Sequence, residues 1–233
     1  ALMVAREYYG PDAMQKFLKQ ELDQYLRSRA NESKFEKTLL DNDNQSYVWY
    51  QKGGLVLYAL ADYISDDSLN VGFKEMVKEF GMKEEPPYAT SLDWYGYIQS
   101  VTPDSMKYYL EDSFENIVLY ENKATEATVV EKNGKFEVTL DVNTKKIYYD
   151  GLGEILQEGD KANLLEVGIF GEDITNDMGM EVKKPIILKK FWLEPGDHTL
   201  TFTVEERPAK AGIDPYNKMI DRIPDDNVVN VEE

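Results

Sequence analysis

The stretch from Gln45 to Ile64 (QSYVWYQKGGLVLYALADYI) constrains the fold more than any other part of the sequence. It begins with polar and aromatic residues and continues into a helical pattern, and residues 53–61 (GGLVLYALA) carry no charge on any face. A surface helix keeps a polar side, so a helix that is apolar all round is predicted to lie inside a larger body. Gly53 and Gly54 cost helix stability relative to alanine, which indicates that another backbone or a ligand approaches them closely.

The composition of the 233 residues suits one large or two ordinary globular domains. A net charge of −18 argues against nucleic acids and anionic membrane surfaces as partners. The chain has no cysteine, which excludes disulfides and thiolate zinc sites. No run of residues approaches the roughly 18 apolar residues of a membrane span, and no signal peptide is visible. We therefore expect a soluble chain whose compartment is undetermined.

Helical periodicity dominates the first half of the chain. One helix is predicted to end at Gly10 and the next to start at Pro11, with an apolar stripe from residue 14 to residue 26. A polar loop over residues 30–44 then leads to the apolar helix. The predicted N-caps of three later helices are Asp66 or Asp67 (with Gly81 closing that helix), Thr90 or Ser91, and Thr102 of Thr102-Pro103-Asp104.

Near Leu119 the period changes from helical to alternating. Asn133-Gly134 is a strong two-residue hairpin signal between the alternating segments Thr128–Glu131 and Phe136–Asp141. The further predicted strands are Lys145–Tyr149, Leu164–Phe170, Ile186–Leu193 and His198–Glu205. About six short strands separated by turns predict a small antiparallel β-sandwich.

The predicted fold class is therefore α+β with several domains. An all-α helical subdomain covers residues 1–118, an antiparallel β-sandwich covers residues 119–206, and an extended tail covers residues 207–233. The tail is rich in proline and acidic residues, which is typical of disorder. However, it also contains bulky apolar residues such as Tyr216 and Met219, so we expect residues 211–223 to pack back onto the body.

The segment Tyr50-Gln51-Lys52-Gly53, followed by an apolar helix, resembles the Tyr-x-Lys-Gly segment of the aminopeptidase N family of zinc peptidases (gluzincins). YGPDAMQKFL and VTPDSMKYYLEDSFENIVLYEN are also similar to that family. AGIDPYNKMIDRIPDDN is similar to a closing segment of bacterial members, some of which are fused to membrane transporter segments. The resemblance implies that the helical subdomain is the end of a thermolysin-like catalytic domain. The long helical C-terminal domain of larger members is missing.

The resemblance also assigns roles to residues. In that family the hydroxyl of the tyrosine at the position of Tyr50 hydrogen-bonds the oxyanion of the tetrahedral intermediate, a large catalytic contribution. Strand-like alternation would place Tyr47 and Trp49 on one side, opposite Val48 and Tyr50, so the first two are candidates for lining the substrate cleft. From the residues alone, the simpler interpretation of Tyr50 is an aromatic side chain that packs the helix entrance. Lys52 is then an exposed lysine at a helix start, or a support for Tyr50.

A gluzincin binds zinc through the two histidines of H-E-x-x-H and a later glutamate. This chain has a single histidine, His198, within a predicted strand, so we predict no metal site in it and place the zinc in an intact parent protein. The chain starts with Ala1-Leu2-Met3-Val4, apolar and without an N-cap, as if already inside a helix. We therefore expect a fragment cut just after the metal site.

Two functions follow from these observations. In the first, the chain is an inactive fragment of a zinc aminopeptidase that removes N-terminal residues from peptides, and an upstream transporter segment could attach the parent to a membrane. In the second, it is a non-catalytic module that binds a peptide or a protein, derived from a peptidase that lost H-E-x-x-H. The sequence leaves the oligomeric state, substrate preference and cellular compartment open.

Overall fold

All 233 residues are described by the computed structural model, in which six α-helices precede ten β-strands and form a mixed α+β fold. The helices are α1 (Leu2–Tyr9), α2 (Met14–Ala30), α3 (Gly53–Ile64), α4 (Asp66–Phe80), α5 (Ser91–Val101) and α6 (Lys107–Leu110). The strands are β1 (Ile117–Tyr120), β2 (Lys123–Lys132), β3 (Lys135–Thr144), β4 (Lys146–Tyr149), β5 (Ile155–Glu158), β6 (Asn163–Thr175), β7 (Glu181–Leu193), β8 (Gly196–Val204), β9 (Lys210–Ile213) and β10 (Val228–Asn230). None of the helices combines the length and the apolar character needed to cross a membrane.

Several helix ends lie where the sequence predicts them. Gly10 follows α1 with a positive φ of 85°, a conformation that favours glycine, and Pro11 opens the 3₁₀ turn that leads into α2. Thr90 caps α5 in a capping box with Asp93: the hydroxyl oxygen of Thr90 accepts from the Asp93 backbone N–H at 3.2 Å. The Asp93 carboxylate in turn accepts from the Thr90 backbone N–H at 2.9 Å.

Two predicted N-caps are wrong. Ser65, not Asp66 or Asp67, caps α4, because its side-chain oxygen accepts a hydrogen bond from a backbone N–H in the first turn. The two aspartates occupy that first turn, where their charge interacts favourably with the helix dipole. Thr102 does not begin a helix but ends α5, and its hydroxyl donates to the carbonyl oxygen of Ile98 at 2.8 Å.

The ten strands form three antiparallel sheets with the orders β1-β4-β5, β2-β3-β8 and β10-β9-β6-β7. Asn133 and Gly134 form the tight turn between β2 and β3 with φ values of 53° and 75°, which confirms the predicted hairpin. Val138 and Leu140 of β3 face the interior, as the alternation predicts. The short strands β1, β5, β9 and β10 were not predicted.

The helical and strand-rich parts share their apolar interior. The larger cluster of buried residues joins Leu60 of α3 and Ile98 of α5 to Leu140 of β3 and Ile169 of β6. Its members on β2, β3 and β8 and those on β6 and β9 come from two different sheets, so the apolar sides of these sheets contribute to one core. A second cluster connects α2 and α3 with β1, β4 and the C-terminal segment.

The C-terminal segment from residue 207 lies on the body of the protein. Strand β9 pairs with β6, with Ile213 opposite Val167, and β10 pairs with β9. Tyr216 and Ile220 are buried in the second apolar cluster. The carboxylate of Asp221 is fully buried and accepts hydrogen bonds from two backbone N–H groups, and burial raises its pKa to about 7. The apolar residues of this segment thus add to the core of the rest of the chain.

Candidate functional site

The entrance to α3 exposes two large aromatic side chains. Residues Val48–Lys52 form one π-helical turn directly before the helix, a distortion that is frequent at functional sites. Within this turn Tyr50 is 69% exposed and Trp49 is 43% exposed. Their rings meet edge to face, with centroids 6.1 Å apart and an interplanar angle of 78°. The turn therefore presents an aromatic pair to solvent at the end of a buried helix.

A cleft of about 470 Å³ lies beside this aromatic pair. Eight of its twelve lining residues are hydrophobic, so it suits an apolar ligand group. Glu21 of α2 supplies the only charged side chain of the lining, and no local sequence pattern relates it to Tyr50. The lining residues come from α1, α2, the π turn, α3 and α4: Ala1, Leu2, Met3, Glu21, Trp49, Tyr50, Gln51, Gly53, Gly54, Leu57, Tyr58 and Phe73.

Tyr50 contributes the polar atom best placed to act on a ligand in this cleft. Its side chain is the most exposed of the aromatic residues that line the cleft, and its hydroxyl makes no hydrogen bond within the chain. A phenol in this state can donate to an oxygen atom of a bound molecule without breaking an existing contact. The predicted packing role, in which Tyr50 closes the helix entrance, does not match this exposure.

The space around Gly53 and Gly54 is less crowded than the sequence predicted. A methyl group on Gly53 would meet a side-chain carbon of Leu39 at 3.5 Å, and one on Gly54 would meet Leu2 at 3.6 Å. The carbonyl oxygen of Val48 would lie 3.6 Å from the same methyl group on Gly53, and all three distances are ordinary van der Waals contacts. No backbone is therefore held against the two glycines more closely than in ordinary packing. Because both residues line the cleft, the absence of side chains instead enlarges the space beside Tyr50.

The predicted alternation that groups Tyr47 with Trp49 is wrong, because the segment is helical and not extended. Successive residues of a helix are about 100° apart, so Trp49 and Tyr50 face the same cleft while Tyr47 points inward. Tyr47 is only 8% exposed and packs against Tyr25 with ring centroids 5.9 Å apart. Burial raises the pKa of its phenol well above the ordinary value. Tyr47 thus does not line the cleft.

Lys52 is also placed differently from the prediction of an exposed lysine. Its side chain is 1% exposed, and its Nζ donates to the backbone carbonyl of Asn116 at a long 3.4 Å. Burial lowers the pKa of Lys52 to about 8, although the carboxylate of Glu36 partly opposes this shift. No carboxylate lies within 4.0 Å of the ammonium group. The side chain ties the entrance of α3 to the segment that precedes β1.

A buried polar network holds the loop that leads to the π turn. The carboxylate of Glu36 is almost fully buried, accepts from the Tyr25 hydroxyl at 2.6 Å and lies 2.7 Å from Arg29 Nε. Gln45, three residues before the π turn, accepts from the Lys37 backbone N–H at 2.8 Å through its side-chain oxygen. Hydrogen bonds and ion pairs between buried groups of this kind fix local geometry. The aromatic pair therefore stands on a well-anchored turn.

The residues of the chain do not fit a zinc site. Nowhere do three or more His, Cys, Asp or Glu side chains come together in a way that could hold a metal ion. The single histidine, His198, lies on β8, with its Nε2 2.7 Å from the carbonyl oxygen of Glu194.

No protein-family model matches the chain. No curated protein sequence matches it either. The function is therefore inferred from the residues and their arrangement.

Proposed function

We propose that the chain is the cleft-bearing part of a peptidase of the aminopeptidase N type, in which Tyr50 stabilises negative charge on the substrate. The observation that carries this proposal is the exposure of Tyr50, with its hydroxyl free of partners, at the edge of an apolar cleft. Trp49 contributes to the same wall and would contact the substrate side chain. The resemblance of Tyr50-Gln51-Lys52-Gly53 to the family segment supports this assignment.

Chemically, the phenol would act on the carbonyl oxygen of the scissile peptide bond. When a nucleophile adds to the carbonyl carbon, the oxygen becomes an oxyanion, and a positioned donor stabilises it more than it stabilises the ground state. The hydroxyl of Tyr50 can supply that donor because it is not engaged elsewhere. The apolar lining would hold the side chain of the N-terminal residue that is removed.

The proposal also assigns a domain type to each half of the chain. The helices would form the end of a thermolysin-like catalytic domain, and the strands of residues 119–206 would form a β-sandwich domain. The zinc ligands, and with them the activation of the attacking water, would lie in another part of a parent protein, because the residues of this chain do not fit the metal. By itself the chain would not hydrolyse peptides.

The test is Tyr50→Phe in the parent protein that carries the metal ligands. Loss of one oxyanion donor costs on the order of 10²–10³ in kcat, so we expect a decrease of that size with KM little changed. Zinc content, measured by atomic absorption, should stay the same. The readouts are steady-state hydrolysis of an aminoacyl reporter substrate and metal stoichiometry.

Tyr8→Phe is the matched control, because Tyr8 is 67% exposed, makes no side-chain hydrogen bond and does not line the cleft. Its kcat should equal that of the unsubstituted protein. Equal turnover of the Tyr50 and Tyr8 variants would contradict the proposed role of Tyr50. A parent coding sequence without H-E-x-x-H would contradict the peptidase assignment as a whole.

A second function, a non-catalytic peptide-binding module, is favoured by one observation: all the residues that line the aromatic cleft belong to this chain, and most of them are hydrophobic. In that case the 233-residue chain alone should bind short apolar peptides, and Trp49→Ala should weaken the binding measured by calorimetry. Tyr50→Phe would then have a small effect, since a binding pocket gains little from a donor aimed at an oxyanion.

A further inference from the structure

A second cleft, on another face of α2, has a charge opposite to that of the rest of the protein. It has a volume of about 590 Å³ and only two hydrophobic residues among the fifteen that line it. Five cations and two carboxylates line it, a net charge of +3 in a chain whose total is −18. We call it the basic cleft. Its charged residues are Lys16, Lys19, Asp23, Arg27, Lys183, Lys210 and Asp225.

The wall on α2 follows from the period of the helix. Lys19, Asp23 and Arg27 are four residues apart and therefore share one face. Glu21, which lines the Tyr50 cleft, projects from a different face of the same helix. The facing wall is formed by β7, β9, β10 and the C-terminal segment, so residues distant in the sequence meet here. The two clefts are thus separate sites on one helix.

Three of the five cations lack a carboxylate partner. Lys183, which is half-buried, donates only to the side-chain amide oxygen of Gln15 at 2.8 Å. Arg27 donates from Nε to the backbone carbonyl of Asp23 at 3.1 Å, and Lys16 makes no hydrogen bond or ion pair within the chain. In contrast, the other two are paired: Lys19 with Asp23 and Asp225, and Lys210 with Asp173.

Holding these cations together has an electrostatic cost. Burial lowers the pKa of Lys183, and the charge of Lys210 lowers it further. The carboxylate of Asp173, opposite Lys183 on β6, partly opposes this shift, and Lys16 adds to it. The chain has 44 acidic residues against 26 basic ones, so unpaired lysines in a cleft are unexpected. A bound anion would relieve the repulsion between these cations and would give each of the three a partner of opposite charge.

We propose that the basic cleft binds a small oxyanion with two or more negative charges, of the oligophosphate or polycarboxylate class. Lysine ammonium groups bind such oxygens as point charges, and the Arg27 guanidinium can bind two oxygens at once. Amide side chains that line the cleft supply further donors: Gln15, Gln20, Asn217 and Asn230. A large polyanion such as a nucleic acid is disfavoured because the surrounding surface is acidic and would repel it.

The test is calorimetric titration of the full chain with inorganic tripolyphosphate and, separately, with citrate, at roughly 50 mM salt to limit screening. We expect saturable binding of one ligand per chain by at least one of the two probes. Lys183→Gln and Arg27→Gln should each weaken this binding about tenfold, because each removes a charge-assisted contact. The tighter of the two probes identifies the ligand as phosphate or carboxylate.

Lys189→Gln is the control, since Lys189 lies on the same strand, β7, as the half-buried Lys183 but is exposed and lies outside the basic cleft. It makes the same change in net charge and should leave affinity unchanged. Equal weakening by all three variants would overturn the proposal, because attraction would then be nonspecific. Absence of binding by both probes at about 1 mM, or binding of an acidic peptide alone, would also overturn it. Arg27 is exposed, so its variant tests the site even if Lys183→Gln does not fold.

Discussion

The ammonium groups of Lys52 and Lys146 both contact the short segment between residues 111 and 116, and both side chains are almost completely buried. Lys146 is 3% exposed, and its Nζ lies 2.7 Å from the carboxylate of Asp112, which also accepts a hydrogen bond from the Tyr148 hydroxyl at 2.6 Å. Lys52 is 1% exposed but reaches only the carbonyl of Asn116, at 3.4 Å. One buried cation is fully paired and the other is not.

The two lysines show what it costs to bury a charge with and without a partner of opposite charge. Desolvation disfavours an ammonium group by several kcal/mol unless an opposite charge compensates it. At Lys52 the compensation is incomplete, and burial lowers its pKa to about 8. At Lys146 the carboxylate of Asp112 supplies the missing partner. The comparison predicts that removing Lys146 destabilises the protein, whereas removing the charge of Lys52 stabilises it.

The largest expected effect is that of Lys146→Met. The substitution leaves the buried carboxylate of Asp112 without its cation, a change that typically lowers the free energy of unfolding by about 3–5 kcal/mol. Urea denaturation followed by circular dichroism measures it. The neighbouring Lys145 forms a solvent-exposed pair with Glu158, so Lys145→Met should change stability by less than about 1 kcal/mol. Similar losses in both variants would remove the distinction between buried and exposed pairs.

Next in size is Lys52→Met, which should raise the free energy of unfolding by about 2 kcal/mol at pH 7. Methionine fills a similar volume and carries no charge to desolvate. Chemical denaturation at pH 7 measures the gain. A loss of stability would show that the contact with Asn116 outweighs the desolvation of Lys52, and the contrast with Lys146 would then fail.

The stability gained by Lys52→Met should decrease as the pH rises above 8. The folded state releases the Lys52 proton near pH 8, and the unfolded state releases it near 10.5. Between these values the unfolded state binds more protons, so the contribution of Lys52 to stability rises with pH. The advantage of Lys52→Met should therefore shrink from pH 8 to pH 10.5. A difference between the two proteins that is constant from pH 7 to pH 10 would contradict the lowered pKa.

The smallest expected effect is that of Tyr148→Phe, because Tyr148 is the second side chain, after Lys146, that contacts the carboxylate of Asp112. Tyr148→Phe removes one hydrogen bond to Asp112 but leaves the ion pair with Lys146, so we expect a loss of about 1 kcal/mol. Combined with Lys146→Met it should cost more than the sum of the single changes, because Asp112 would then have no side-chain partner. Strict additivity would show that the three residues do not act together.

Much of the fold could be predicted because it depends on neighbours in the sequence. The unbroken apolar run of residues 53–61 predicted a buried helix, and Asn133-Gly134 predicted a hairpin turn that only residues tolerant of positive φ form easily. Prediction failed where local patterns were ambiguous. Residues 47–52 alternate like a strand but form a helical turn, and this moved Tyr47 from the expected cleft into the core.

The sequence by itself determined the helical or alternating period of the longer elements, the glycine that ends α1, the threonine that caps α5, and the tyrosine at the start of α3. Only the tertiary structure decided that Tyr50 faces a cleft, that Lys52 is buried without a carboxylate while Lys146 has one, and that α2 and β7 bring unpaired cations together. The physical reason is the distance along the chain over which each interaction acts. Periodicity and capping act over a few residues, whereas burial and charge pairing depend on segments that are far apart in the chain.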